Sequence, residues 1–140
     1  MLDTLTVLAY LVTHNAKPAN HLQLKAALNH TVSPALHWRG VPPEAGSLAL
    51  IVKDKQSRYC WVVYNISPDI QQFPLNASQF MNQHSEGLNS WGQHSFHATR
   101  KDVTITLYAL DKRFSNIHDI TGEQLEQKIK GHVMAMVQVS

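Results

Sequence analysis

The sequence predicts a mainly β protein, a sandwich with one helix near the end of the chain, and three observations carry that prediction. SLALIVKD (47–54) and YCWVVYNI (59–66) are nearly continuous apolar runs joined by a short polar turn. DVTITLYALD (102–111) and HVMAMVQVS (132–140) instead alternate apolar and polar residues. The strongest helical pattern, TGEQLEQKIKG (121–131), falls between those last two runs, so helices do not separate successive strands as an alternating α/β sheet requires.

Taken in order, TLTVLAYLVTH (4–14) suits a strand through Thr and Val or a short helix through Leu and Ala, and we read it as a strand. Residues 15–35 read mostly as connection around a short helical pattern, HLQLKAAL (21–28). Pro34 then holds Ser33 extended ahead of LHW, and GVPPEAG (40–46) is a turn by its Gly and Pro content. The next two runs are apolar along their length, as central strands covered on both faces would be. SPDIQQFPLNAS is a loop with two prolines, followed by a polar, histidine-bearing stretch over 79–100. In 102–111, Val103, Ile105 and Leu107 share one face of a strand, and Thr104 and Thr106 the other. The helix starts at Thr121, with Gln124 completing a capping box, and stops at Gly131. A last strand carries Val133, Ala135, Val137 and Val139 on one face.

The 140 residues suit one domain, 1–140, able to bury a core without staples. A 44% hydrophobic and 16% charged composition excludes a disordered chain. Twelve basic residues against ten acidic ones, scattered along the chain, give no footprint for nucleic acid. The single cysteine, Cys60, offers no internal disulfide and favours a reducing compartment. LTVLAYLV (5–12) is too short to span a bilayer and lacks the flanks of a signal peptide. The expected location is therefore the cytoplasm, or the periplasm if a longer N-terminus carries an export signal. Nine histidines without the close pairing of zinc ligands argue for no metal and no cofactor. No GxSxG, HExxH or phosphate-cradling glycine loop occurs, so no enzyme and no catalytic residue is expected.

Five segments in register, SPALHWRGVPPEAGSLALIVKD, WVVYNISPDI, GLNSWGQ, ITLYALD and LEQKIKGHVMA, resemble the phosphatidylethanolamine-binding protein family, which includes the Raf kinase inhibitor proteins. The resemblance runs from about residue 32 onward, leaving 1–31 as an atypical N-terminal segment. It implies a β-sandwich with a large central antiparallel sheet, a smaller second sheet and a C-terminal helix. It also implies an end pocket that accepts a small anion or a phospholipid head group, and it adds a protein partner and a homodimer as expectations.

Asp54 matches the aspartate that ends a strand in the family's pocket, although a turn-capping carboxylate would fit the same position. The surroundings depart from the family. KQS follows Asp54 in place of PDAP, Cys60 stands where a pocket histidine would be, and Lys101, Asp102 and Val103 lie opposite an HRY-like triad. His94 and His97 are the candidates to replace the missing donors, since imidazole titrates near neutral pH and can donate to phosphate. Trp91 and Phe96 suit either a cleft wall or pins that hold a polar loop to the sheet. The expected ligand-binding set is Asp54, Cys60, Trp91, His94, His97 and Lys101. The function implied is a non-enzymatic binding module, with a kinase-inhibitor-like interaction protein carrying a vestigial pocket as the alternative.

Overall fold

The order of strands in the sheets reflects which runs are apolar enough to be covered on both faces. The computed structural model describes residues 7–10, 22–27, 31–79, 84–99, 102–115 and 117–140. Its strands are β1 (Val7–Tyr10), β2 (Gln23–Ala27), β3 (Ala35–Arg39), β4 (Ser47–Asp54), β5 (Tyr59–Ile66), β6 (Gln72–Phe73), β7 (Ser85–Glu86), β8 (Val103–Leu110) and β9 (Val133–Val139). One helix, α1 (Gly122–Ile129), lies between β8 and β9, and Ala77–Gln79 form a single 3-10 turn. A six-stranded sheet runs β1-β9-β8-β4-β5-β7, and a three-stranded sheet runs β2-β3-β6. Every strand pairing in both sheets is antiparallel.

β4 and β5 are apolar along most of their length because both of their faces are covered. Leu48, Leu50 and Val52 pack with Trp61 and Val63 under the small sheet, where Leu24, Leu36 and Trp38 meet them. Ala49, Ile51, Val62 and Tyr64 face the other way, into a second core closed by Leu125 and Ile129 of α1. Each Leu, Ile or Val so buried contributes about 1.5–3 kcal/mol, which makes the central hairpin the best-anchored part of the sheet. The helix is held as its sequence predicts: Thr121 accepts from the Gln124 amide at its N-cap, and Gln124 reciprocates. Gly131 comes after it with φ +82°, a left-handed conformation that glycine adopts without strain.

Two bulges, one toward each end of β5, set which way its side chains turn. Leu48 pairs with Ile66 and Leu50 with Val63, so β5 carries an extra residue there. Asn65 takes φ +56°, and its side chain exchanges two hydrogen bonds with the backbone of Phe114. Val52 pairs with Trp61 while Lys53 pairs with Tyr59, leaving Cys60 as the extra residue of the second bulge. Cys60 and Trp61 therefore both turn to the sandwich side, whereas Tyr59 faces α1.

HLQLKAAL corrects one expectation, because its described part is the strand β2 rather than a helical turn. Leu24 and Ala26 are buried and alternate with exposed Gln23 and Lys25, a two-residue period that β3 completes by pairing along the whole of β2. The loop expected over 67–78 also contributes the short strand β6 and the 3-10 turn. The strand expected over 4–14 is present at Val7–Tyr10, and the rest of that run lies outside the described residues.

Candidate functional site

The site starts at the turn that joins the two central strands. Asp54 ends β4, its amide donates to the Arg58 carbonyl at 3.0 Å, and its carbonyl accepts from the Ser57 amide at 3.0 Å. Ser57 completes the reversal with φ +63°. The carboxylate is filled from within this turn. Oδ1 accepts from the amides of Gln56 at 2.9 Å and Arg58 at 3.0 Å, and Oδ2 accepts from Arg58 Nε at 2.8 Å. Burial by itself would raise the carboxyl's pKa, but the hydrogen bonds and the guanidinium charge outweigh it, so the group sits below its ordinary value.

Arg58 carries this charge outward. Its Nη2 donates to Thr99 Oγ1 at 3.1 Å, and its Cζ lies 5.1 Å from the ring centroid of Trp91. Trp91 in turn packs against His97 with centroids 4.4 Å apart and the rings tilted by 55°, and the His97 amide donates to the Cys60 carbonyl at 2.9 Å. Nη1 of Arg58 has no hydrogen-bond partner among the described residues. Asp54, Arg58, Trp91, His97 and Thr99 thus form one connected cluster at the end of the β4–β5 hairpin, beside the Cys60 bulge.

The loop that supplies Trp91 and His97 is organised by Asn89, a buried amide. Its Oδ1 accepts from the amides of Trp91 at 2.9 Å and Gln93 at 3.0 Å, and its Nδ2 donates to the Ser95 carbonyl at 2.9 Å. The loop is pinned to β5 from below. The Phe96 amide donates to Ser78 Oγ, whose hydroxyl donates to Glu86, and Trp61 Nε1 donates to the same carboxylate oxygen at 2.6 Å. Burial pushes the Glu86 carboxyl up. Phe96 packs edge-on against Trp61, the pinning role open to it from sequence.

Of the residues expected from sequence, Asp54, Trp91 and His97 meet in the cluster. Cys60 lies directly beneath, its thiol fully buried, 3.8 Å from the Arg58 carbonyl, and pushed up to about 11 by burial and by the Asp54 charge. His94 makes its contacts elsewhere. Its Nδ1 lies 3.0 Å from the Glu86 carbonyl and its Nε2 2.7 Å from Asp119 Oδ1. Lys101 lies outside the described residues. Sequence reasoning misses Arg58, Asn89 and Thr99 as site residues. Only Arg58 leaves a signal there, as the basic partner four residues after Asp54 across a tight turn.

Among the described residues no group of three side chains is arranged to hold a metal ion, and no helix is long and apolar enough to cross a membrane. What the cluster presents is a fixed guanidinium beside an aromatic ring and an imidazole, an arrangement suited to holding negative charge by charge-assisted hydrogen bonds.

The family model for phosphatidylethanolamine-binding protein matches residues 13–140. A curated relative from Chlamydia trachomatis, named UPF0098 protein, is 31% identical over 122 residues, which cover 77% of this chain and 79% of the relative. A UPF0098 protein from Methanothermobacter thermautotrophicus is 30% identical over 115 residues, covering 74% of this chain and 76% of the relative. Among solved structures, the crystal structure of the phosphatidylethanolamine-binding protein homolog CT736 from Chlamydia trachomatis superposes with a TM-score of 0.75 at 26% identity, covering 86% of this chain and 95% of that one. By sequence match and by its two-sheet architecture, the chain is a non-enzymatic binding module that belongs to the phosphatidylethanolamine-binding protein family.

Proposed function

We propose that the chain binds a small anion, such as a phosphate group free or on a head group, at the cluster of Arg58, Trp91, His97 and Thr99. The observation that carries this reading is the state of Arg58. Its guanidinium is held at Nε by Asp54 and at Nη2 by Thr99, yet its side chain keeps 36% of its surface open to solvent. A guanidinium already fixed in place loses little freedom on binding, which favours affinity at a shallow site. His97 adds a second donor through a ring N–H, and Trp91 lies beside both groups, 5.1 Å from the Arg58 Cζ and 4.4 Å from the His97 ring, centroid to centroid.

Asp54 has a supporting part in this scheme. An ionised carboxylate repels an anion, but here its oxygens are taken up by the Gln56 and Arg58 amides and by Arg58 Nε, so it serves to orient Arg58. The test is a titration of isotope-labelled protein with inorganic phosphate, followed by NMR. Saturable shifts at the Arg58 side chain and at Trp91 and His97 are the expected result. Flat signals at millimolar phosphate would overturn the reading and favour a vestigial pocket on a protein-interaction module.

A further inference from the structure

Three donors fill the Asp54 carboxylate, and its side chain is 1% exposed. Two of the donors are backbone amides of the turn itself, so no side-chain rearrangement removes them. The third, Arg58 Nε, donates to Oδ2, and the guanidinium is tethered at its far end to Thr99. A carboxylate offers about four lone-pair positions, and burial shuts off whatever the three donors leave. For a ligand's ammonium group to reach Asp54, Arg58 would have to swing away and give up its charge-assisted hydrogen bond to the carboxylate.

We infer that the Asp54–Arg58 pair makes the site selective for a bare anion, so that an ammonium group carried on the same ligand gains nothing from Asp54. The inference rests on the anion-binding reading and sharpens it. Phosphate monoesters are recognised through the phosphate alone, and phosphorylethanolamine is recognised no better than methyl phosphate. In this chain the carboxylate acts as a positioning residue for Arg58 rather than as a ligand contact.

The test uses the full chain and three probes, namely methyl phosphate, phosphorylethanolamine and ethanolamine. The two phosphates are expected to bind with dissociation constants within about threefold of each other, and ethanolamine to give no saturable shift. In the Arg58→Gln variant, methyl phosphate affinity is expected to fall about tenfold or more, as loss of a charged donor does. Phosphorylethanolamine should then fall less than methyl phosphate, because Asp54 becomes reachable. Phosphorylethanolamine binding tenfold tighter than methyl phosphate to the native chain would overturn the inference and leave the anion-binding reading standing. Absence of binding by both phosphates would overturn that reading, and the inference with it. The comparison on the native chain decides the matter even if the variant does not fold.

Discussion

The hydroxyl of Tyr59 donates to Glu126 Oε1, fastening the first residue of β5 to the middle of α1. Lys53 meets the other oxygen of the same carboxylate at 2.7 Å and lies 4.9 Å from the Tyr59 ring centroid. Burial, then the Glu126 carboxylate, drives the phenol's pKa upward. Tyr59→Phe is expected to cost about 1 kcal/mol, the usual worth of one such hydrogen bond, when read as a shift in urea midpoint. An unchanged midpoint would show that Lys53 alone satisfies Glu126.

Gly122 lies against that same ring. A Cβ there would sit 2.1 Å from Tyr59 Cδ1, well inside contact distance. Gly122→Ala should therefore destabilise by about 1–3 kcal/mol, the cost of overpacking, despite alanine's better helix propensity. Combined with Tyr59→Ala, which clears the ring away, the Gly122→Ala penalty should largely disappear in a double-mutant cycle.

Acid should act on the Asp54 turn. Because its folded pKa lies below the ordinary carboxylate value, its contribution is complete above about pH 4 and is lost as pH falls through the lower folded value. Asp54→Asn should lower stability by about 2 kcal/mol at neutral pH and flatten the acid limb of the stability profile. An acid limb of unchanged slope in the variant would assign it to other carboxylates.

His94 should act at the opposite end of the pH scale. Both of its ring nitrogens face acceptors, a carbonyl and a carboxylate, and only imidazolium donates to both. The bond to the Glu86 carbonyl leads, with Asp119 assisting, in raising its pKa. The contribution is then fully present below the ordinary value of about 6.5 and is lost as pH rises through the higher folded value. Thermal scans from pH 5 to 9 should show this loss in the native chain and not in His94→Ala.

The buried, protonated Cys60 should resist a thiol reagent at pH 8 in the folded chain and react fully in denaturant. Rapid labelling of the folded protein would mean that the bulge opens.

The strands legible in the sequence are those whose burial pattern is local. β4 and β5 announce two covered faces by unbroken apolar runs, β8 and β9 announce one by alternation, and α1 carries its own cap. β2 is hidden because HLQLKAAL satisfies a helical and a two-residue period alike, and only pairing with β3 separates them. At the site, Asp54 stands out by its place at the end of an apolar strand. Arg58 does not, because its role depends on a turn that folds it back on Asp54 and on a Trp91 brought near by a distant loop. The grouping of His97 rather than His94 with Asp54 is equally out of reach, since both lie in one polar stretch and only Asn89 decides which way the chain turns there.

The pairing of Val7 with Val139 puts a constraint on the order of events during synthesis. β9 lies between β1 and β8, so among the described strands β1 meets its sheet partner only after β9 has been made. The β4–β5 hairpin, whose partners are adjacent in the chain, can form while the rest is still being made. Arg58 and Asp54 meet inside that early hairpin, so the ion pair can be in place before the loop that brings Trp91 has emerged.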